Sequence, residues 1–454
     1  MESQLLSACS RRLTSFVGTS LLALAPVALA SAGTAQVLET PGHPMPGFTR
    51  IVGAFKVSVG PTRILAREAR SAMVHQFSSG TLALTCGNSM VSTNIRSEDG
   101  LGQSWKRQSQ YLGYLNTLER AGTAKLFVLD YDLRAVAGQP GRYAVTRFES
   151  SDEGLSLQSL PDGSVQLPTT TFDPTSLHWV NDLVELDDGA LVAAVMSLSA
   201  PPNTNNPWFT SLIRSDDAGV SWDFVSVALS QGTIQDPTGA LTEHGWPLYW
   251  ASEPALVALD DQRLLCVARS ANDERPGLPL TQIGPASDTY HDLGSTLRGD
   301  ELAPGLIAGI DANEYYVPGP PNAPLVMATS SDGGTTWSPG SPLDGPRGVF
   351  PRLAVDDNGL VALTYGGLSG VPRHGNAIAF SADGGVTWSP EVNVGPFLTT
   401  GYTQVVSLGP GHFVVFFDAT PPQPWTKDQR WWVGQVDVVV EPAVVGPPYG
   451  TTAR

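Results

Sequence analysis

A small set of charged and phenolic residues stands at the open ends of short hairpin patterns in this 454-residue chain. In a hairpin, residues equidistant from the turn lie side by side. A turn near Asp261 puts Glu253 beside Arg269, and a turn at Pro410 puts Tyr402 opposite Asp418. A turn near Ser79 puts Arg70 near Asn88. A guanidinium beside a carboxylate can receive an anion, and a phenol near a carboxylate can pass a proton. Each pair also has a plainer explanation: Glu253–Arg269 as a structural ion pair, Tyr402 as a rim aromatic. The elements that carry these residues decide between the two.

A repeated stretch organises those elements. Ser330–Trp337 reads SSDGGTTW and Ser381–Trp388 reads SADGGVTW. Ser215–Trp222 (SDDAGVSW), Ser150–Leu157 (SSDEGLSL) and Ser97–Trp105 (SEDGLGQSW) are looser copies. Asp followed by Gly makes a tight turn, the carboxylate accepting backbone N–H groups while Gly supplies positive φ. The aromatic that follows is placed to pack between neighbouring units. The motif aspartates, Asp99, Asp152, Asp217, Asp332 and Asp383, recur at roughly fifty-residue intervals, with one interval about twice as long. Fifty residues is about the length of a four-stranded propeller blade. A hairpin opens each unit, turning at 78–80, 120–123, 187–189, 260–262, 356–359 and 409–411. The expectation is all-β: a six-bladed β-propeller over residues 49–445, with a Pro-, Gly- and Asp-rich insertion at 272–322 carrying Asp288, His291 and Asp292. A last strand near Trp431 is placed to close the ring against the first blade.

Composition agrees with a turn-rich globular chain: 41% hydrophobic, 15% charged, 47 Gly and 37 Pro. The net charge of −17 excludes nucleic acid as a partner and requires any anion site to be locally basic. Arg11 and Arg12 precede the apolar run Leu21–Ala30, which reads as a signal peptide over 1–30, cleaved as late as 35, with a hint of a twin-arginine signal. Residues 31–48 are a lead-in. The expected location is secreted or periplasmic, with no membrane span in the remainder. Cys86 and Cys266, in different repeats, read as buried thiols. No metal or cofactor motif is visible.

The repeated turn is the Asp-box pattern, and the chain resembles the sialidase (neuraminidase) superfamily of six-bladed propellers over nearly all of its length after residue 45. Ser252–Ser270 is similar to the segment carrying that family's catalytic Glu (Glu253) and second substrate Arg (Arg269). Val371-Pro-Arg373 matches the third Arg. Ala69-Arg70-Ser71-Ala72 sits where the family has Tyr-Arg-Ile-Pro. Gly401-Tyr402-Thr403 and Phe416-Phe417-Asp418 look like the nucleophilic Tyr and the acid that supports the first Arg. The resemblance implies a glycan substrate with an acidic terminal sugar. Arg70, Arg269 and Arg373 would clamp its carboxylate, because a guanidinium fork matches that group. Tyr402 would be the nucleophile, a neutral phenol avoiding the charge repulsion a carboxylate would meet, and Glu253 its base.

One part of the family pattern is missing. The family's acid/base Asp lies in the loop after the second strand of the first blade, and here Cys86–Ile95 holds no Asp or Glu. The second hairpin sends Asp130 and Asp132 towards the same mouth beside Tyr114, so either can substitute, as can His291. Phe350-Pro351-Arg352 adds a further Arg to a first strand, placed to reach the pocket or to pair with a neighbour. Two other functions fit the same residues: a lyase or glycosidase acting on uronate-containing glycans, and a carbohydrate-binding propeller without catalysis.

Overall fold

The computed structural model describes residues 47–67, 69–87, 92–107, 116–121, 123, 125–200, 208–230, 232–235, 251–260, 262–270, 324–366, 376–395, 402–419 and 432–443. Residues 1–30, read from the sequence as a signal peptide, residues 272–322, Asn88, Tyr114 and Arg373 lie outside them. Every regular element among the described residues is a β-strand.

Three sheets are four-stranded antiparallel meanders. One runs through Arg70–Gln76, Leu82–Gly87, Ser92–Ser97 and Lys106–Arg107. Another runs through Ser252–Ala258, Leu264–Arg269, Pro324–Ser330 and Ser341–Arg347. The third runs through Val349–Val355, Val361–Gly366, Asn376–Ser381 and Val392–Asn393. A nine-stranded sheet joins two more meanders, one opening at Asn116–Arg120 and one at His178–Glu185. They fuse because the long strand Lys125–Ala135 pairs first with Asn116–Arg120 and then with His178–Glu185. The last sheet holds Thr403–Gly409, His412–Ala419 and Trp432–Pro442. Trp432–Pro442 does not join the sheet of Arg70, as its sequence position led us to expect. Its free edge takes the N-terminal strands Phe55–Val59 and Arg63–Arg67 instead. An unpaired edge there would expose a row of backbone donors and acceptors, which the N-terminal strands satisfy.

The first strands of successive sheets pack against one another: His178–Glu185 on Ser252–Ala258, that on Val349–Val355, that on Thr403–Gly409, and that on Arg70–Gln76. This propeller-like arrangement puts the first strands round one axis. The second strands lie between neighbouring sheets and are buried on both faces, so Leu264–Arg269 and Val361–Gly366 are continuous buried runs rather than alternating ones. Cys86 and Cys266 are free and buried, and burial pushes the Cys86 thiol up to about 12.

The repeated turns link the third and fourth strands and tie each sheet to the one before. In Ser381–Trp388 the Asp383 carboxylate accepts from Ser381 Oγ (2.7 Å), the Thr387 amide (2.9 Å) and Thr387 Oγ1 (2.6 Å). Burial opposes ionisation of Asp383, but these bonds together outweigh it and hold its pKa below the ordinary carboxylate value. Trp388 Nε1 closes the turn on Gly385 O at 2.9 Å. Trp105 donates to Gln435 of the last sheet, and Trp337 to Ser226 of the preceding sheet. A Cβ on Gly219 (φ 80°) would lie 2.6 Å from the Phe127 ring in the meander before it, so glycine is required both for φ and for the close approach.

The residue before that glycine is also left-handed. Glycine occupies the position in two turns (Gly333, φ 66°; Gly384, φ 71°), but Ala218 holds it at φ 57°. The left-handed penalty for a non-glycine residue is about 1–2 kcal/mol, partly offset by glycine's greater freedom in the unfolded chain. Ala218→Gly should therefore stabilise the protein by about 0.5–1 kcal/mol in urea unfolding. An unchanged or lowered midpoint would show that the turn carries no strain there.

Candidate active site

Three first strands share one irregularity near their N-terminal ends. The pairing register jumps between Arg70 and Met73, between Ser252 and Ala255, and between Val349 and Arg352. Two of the jumps contain Pro254 and Pro351, which have no N–H to give to a ladder. The residues before these prolines, Glu253 and Phe350, have φ of 51° and 49°. Such non-glycine values cost on the order of 1–3 kcal/mol each and persist where the surroundings fix them. Here the two strained residues hold each other: the Phe350 amide donates to Glu253 Oε2 at 3.0 Å.

The bulge alters the expected pairing. Backbone Ser252, not Glu253, stands opposite Arg269. Turned by its bulge, Glu253 still brings Oε1 to 3.4 Å from Arg269 Nη1, and the Arg269 side chain is only 4% exposed. The ion pair predicted from the hairpin is present, reached by a different backbone path.

Arg352 sits at the centre of the group. It is buried, and its Nη1 donates to Asn181 O at 2.9 Å. Its guanidinium lies 4.2 Å over the Phe350 ring, and that ring lies 4.3 Å from Tyr402. Glu253, Tyr402, Tyr131 and Asp182 all lie within the field of this cation. Burial lowers the Arg352 pKa and these neighbours oppose the shift, Asp182 most strongly. Burial likewise pushes Asp182 up, while Arg352 and the amides of Leu256 and Leu183, both at 2.9 Å, hold it down. On the axis, a cavity of about 100 Å³ is lined by Arg352, Asn181, Asp182, His75, Thr117 and Gln404 among others. His75 is neutral at pH 7, because burial lowers its pKa to about 4.

The remaining residues singled out in the sequence fall as follows. Asp418 is fully buried on His412–Ala419, one residue beyond the Thr403–Phe417 pair that begins next to Tyr402. Arg70 opens its strand opposite Gly87. Asn88 and Arg373 lie outside the described residues, as does His291. Asp130 and Asp132 flank Tyr131 on Lys125–Ala135, where the three residues between Leu129 and Leu133 face the single Thr146 of the next strand. Burial raises the Asp130 pKa, and the Asp132 charge raises it further. It is Tyr131 that lies in the field of both Glu253 and Arg352. Hairpin counting missed Tyr131, Asp182 and Phe350. Phe350 had a signal, since Phe350-Pro351 repeats Glu253-Pro254 at the same strand position; Tyr131 had none, because a bulge cannot be counted from turn positions.

Solved structures share this fold. A protein of unknown function from Dyadobacter fermentans is 13% identical, with a TM-score of 0.55 over 85% of this chain and 99% of that one. A Hadza microbial sialidase is 15% identical, with a TM-score of 0.50 over 81% of this chain and 65% of that one. An alpha-L-arabinanase from Penicillium chrysogenum is 14% identical over 86% of this chain and 98% of that one, at a TM-score of 0.48 that is too low to add weight. No family model and no curated protein matches the sequence. The architecture is thus a propeller-like one found among glycosidases, and at these identities the likeness extends to fold alone.

Removing the central cation should leave Asp182 and Glu253 without their shared partner. Arg352→Leu should cost about 3–5 kcal/mol, the range for breaking a buried charge pair. The double variant Arg352→Leu/Asp182→Asn should recover part of that loss. Urea unfolding of the single and double variants checks both; additive losses would mean that the charges are not coupled.

Proposed function

We propose that the protein is an exported exo-glycosidase on a six-bladed, Asp-box propeller, removing a terminal acidic sugar such as sialic acid from glycans. The observation that carries this reading is the hold on Glu253: its carboxylate lies between Arg269 and the Phe350 amide, and Tyr402 packs on that same Phe350 ring. A carboxylate fixed by two donors keeps lone pairs for a proton, and a phenol is a nucleophile that needs a base. Six hairpins and five repeated turns support the blade number. The apolar segment Leu21–Ala30 supports export.

In this mechanism Arg269, with Arg70 and Arg373, receives the sugar carboxylate, and Asp418 supports Arg70. Asn88, beside Arg70 in the sequence pattern, contacts the same sugar. Tyr402 attacks the anomeric carbon and Glu253 takes the phenolic proton. A glycosyl–tyrosine intermediate then yields to water, so the anomeric configuration is retained. Arg352 supports the charge of Glu253.

The absence of Asp and Glu from Cys86–Ile95 favours a second reading, a lyase on uronate glycans in which a phenol moves the proton. A lyase leaves an unsaturated, ultraviolet-absorbing product; a hydrolase does not. A binding propeller releases no product at all. Incubation with a fluorogenic sialoside and a panel of uronate glycans separates the three.

Tyr402→Phe keeps the ring on Phe350 and removes only the hydroxyl. Turnover of the sialoside should fall by about 10³-fold or more, while binding of free sialic acid, read by calorimetry, should persist. Turnover within tenfold of the parent would eliminate Tyr402 as the nucleophile.

A further inference from the structure

A nucleophile and its base must be held at one distance and one angle. Here Tyr402 leads into Thr403–Gly409 and Glu253 lies on Ser252–Ala258, in two different sheets. The strand Val349–Val355 lies between them and packs against both. We infer that Phe350, on that strand, positions the pair: its main-chain N–H aims Glu253 and its ring aims Tyr402. This inference deepens the glycosidase reading above and rests on it.

The chain is built to turn Phe350 out of its ladder. Pairing with Val361–Gly366 passes from Val349–Gly366 directly to Arg352–Thr364, so Phe350 and Pro351 are left over. A Cβ on Gly348 would lie 2.4 Å from Gly366 O, so the approach to the bulge needs glycine. Pro351 has no N–H to return to the ladder. Freed in this way, the Phe350 N–H donates across to Glu253 Oε2 at 3.0 Å.

The ring serves the other partner. It is 7% exposed and forms a small cluster with Val349 and Tyr402. The Phe350 and Tyr402 centroids are 4.3 Å apart with the planes tilted by 52°. At that separation the rings touch, and the phenol cannot swing towards Phe350 without displacing it. The backbone beside this contact is tied as well. Thr403 Oγ1 donates to Thr364 Oγ1 at 3.2 Å, and both residues are fully buried.

The backbone conformation shows that the ring is more than filling. Phe350 holds a φ of 49°. Glycine would hold it without strain and would still carry the N–H. The chain places a phenylalanine there, and the strained turn brings its ring to Tyr402 on the same strand that carries Arg352. Phe350 gives no proton and forms no bond in the reaction, so its role is positioning.

The test separates the two contacts. Phe350→Leu keeps the N–H and apolar bulk without a ring. Phe350→Gly keeps the N–H and relieves the strain. Phe350→phenyllactic acid keeps the ring and turns the N–H into an ester oxygen. Sialoside turnover is divided by the number of sites that bind free sialic acid in calorimetry, so unfolded protein is not counted. Each variant should lose about 10²-fold in kcat per site, the effect of a misplacement of about 1 Å. KM should stay within about threefold of the parent's, since the loss falls on the transition state. In a Tyr402→Phe background, Phe350→Leu should lower the residual rate by less than about threefold, because a residue acting through Tyr402 has nothing left to position. A residue that merely packs would act equally in both backgrounds, and that result overturns the inference. Full turnover per site in the leucine and glycine variants, or in the ester variant, overturns it too. In these cases the glycosidase reading stands, provided that the parent cleaves the sialoside and Tyr402→Phe does not. If the parent cleaves no sialoside, the reading falls and this inference with it.

Discussion

A guanidinium buried at the centre of a ring of strands must be surrounded by compensating groups, because an unpaired charge in a protein interior costs several kcal/mol. Arg352 is such a group, and the composition of the site follows from it. Asp182 lies on His178–Glu185, Glu253 on Ser252–Ala258, Tyr131 on Lys125–Ala135 and Tyr402 just before Thr403–Gly409. Each belongs to a different stretch of chain, yet each feels the same cation. The stack Arg352–Phe350–Tyr402 then gives the arrangement an orientation, since the cation and the nucleophile candidate lie on one ring.

Such convergence needs strands that keep their places. The repeated turns provide this from the outer side of the sheets. Their aspartates cap the chain locally, and their tryptophans and glycines dock on the sheet before. The N-terminal strands complete the last sheet. A fixed scaffold can hold local strain, and the strain is found where the charges are: Glu253 and Phe350 are both left-handed and joined by a hydrogen bond. The strain serves to aim a carboxylate that a regular strand would point elsewhere.

The hairpins, the repeated turns and the buried cysteines were legible in the sequence because each depends on residues a few positions apart. Glu253 with Arg269 was legible to the nearest residue, since counting from Asp261 assumes a ladder without the bulge at Pro254. The last strand was misplaced because the sequence does not say which edge it satisfies. Tyr131 was hidden for the same physical reason as the exact pairing of Glu253: an inserted residue changes facing without changing composition. Arg352 was visible as an odd charge on a first strand, but its partners come from three other sheets and only the assembled ring shows them.

The central claim is that Tyr402 bonds covalently to the sugar while Glu253 takes its proton. Peptide mapping by mass spectrometry, after quenching with a fluorinated sialosyl fluoride that slows release, reads that bond directly. The account predicts one glycosyl adduct, on the peptide containing Tyr402. Steady turnover with the adduct on Glu253 or Tyr131, or with no adduct and inverted product, would contradict it.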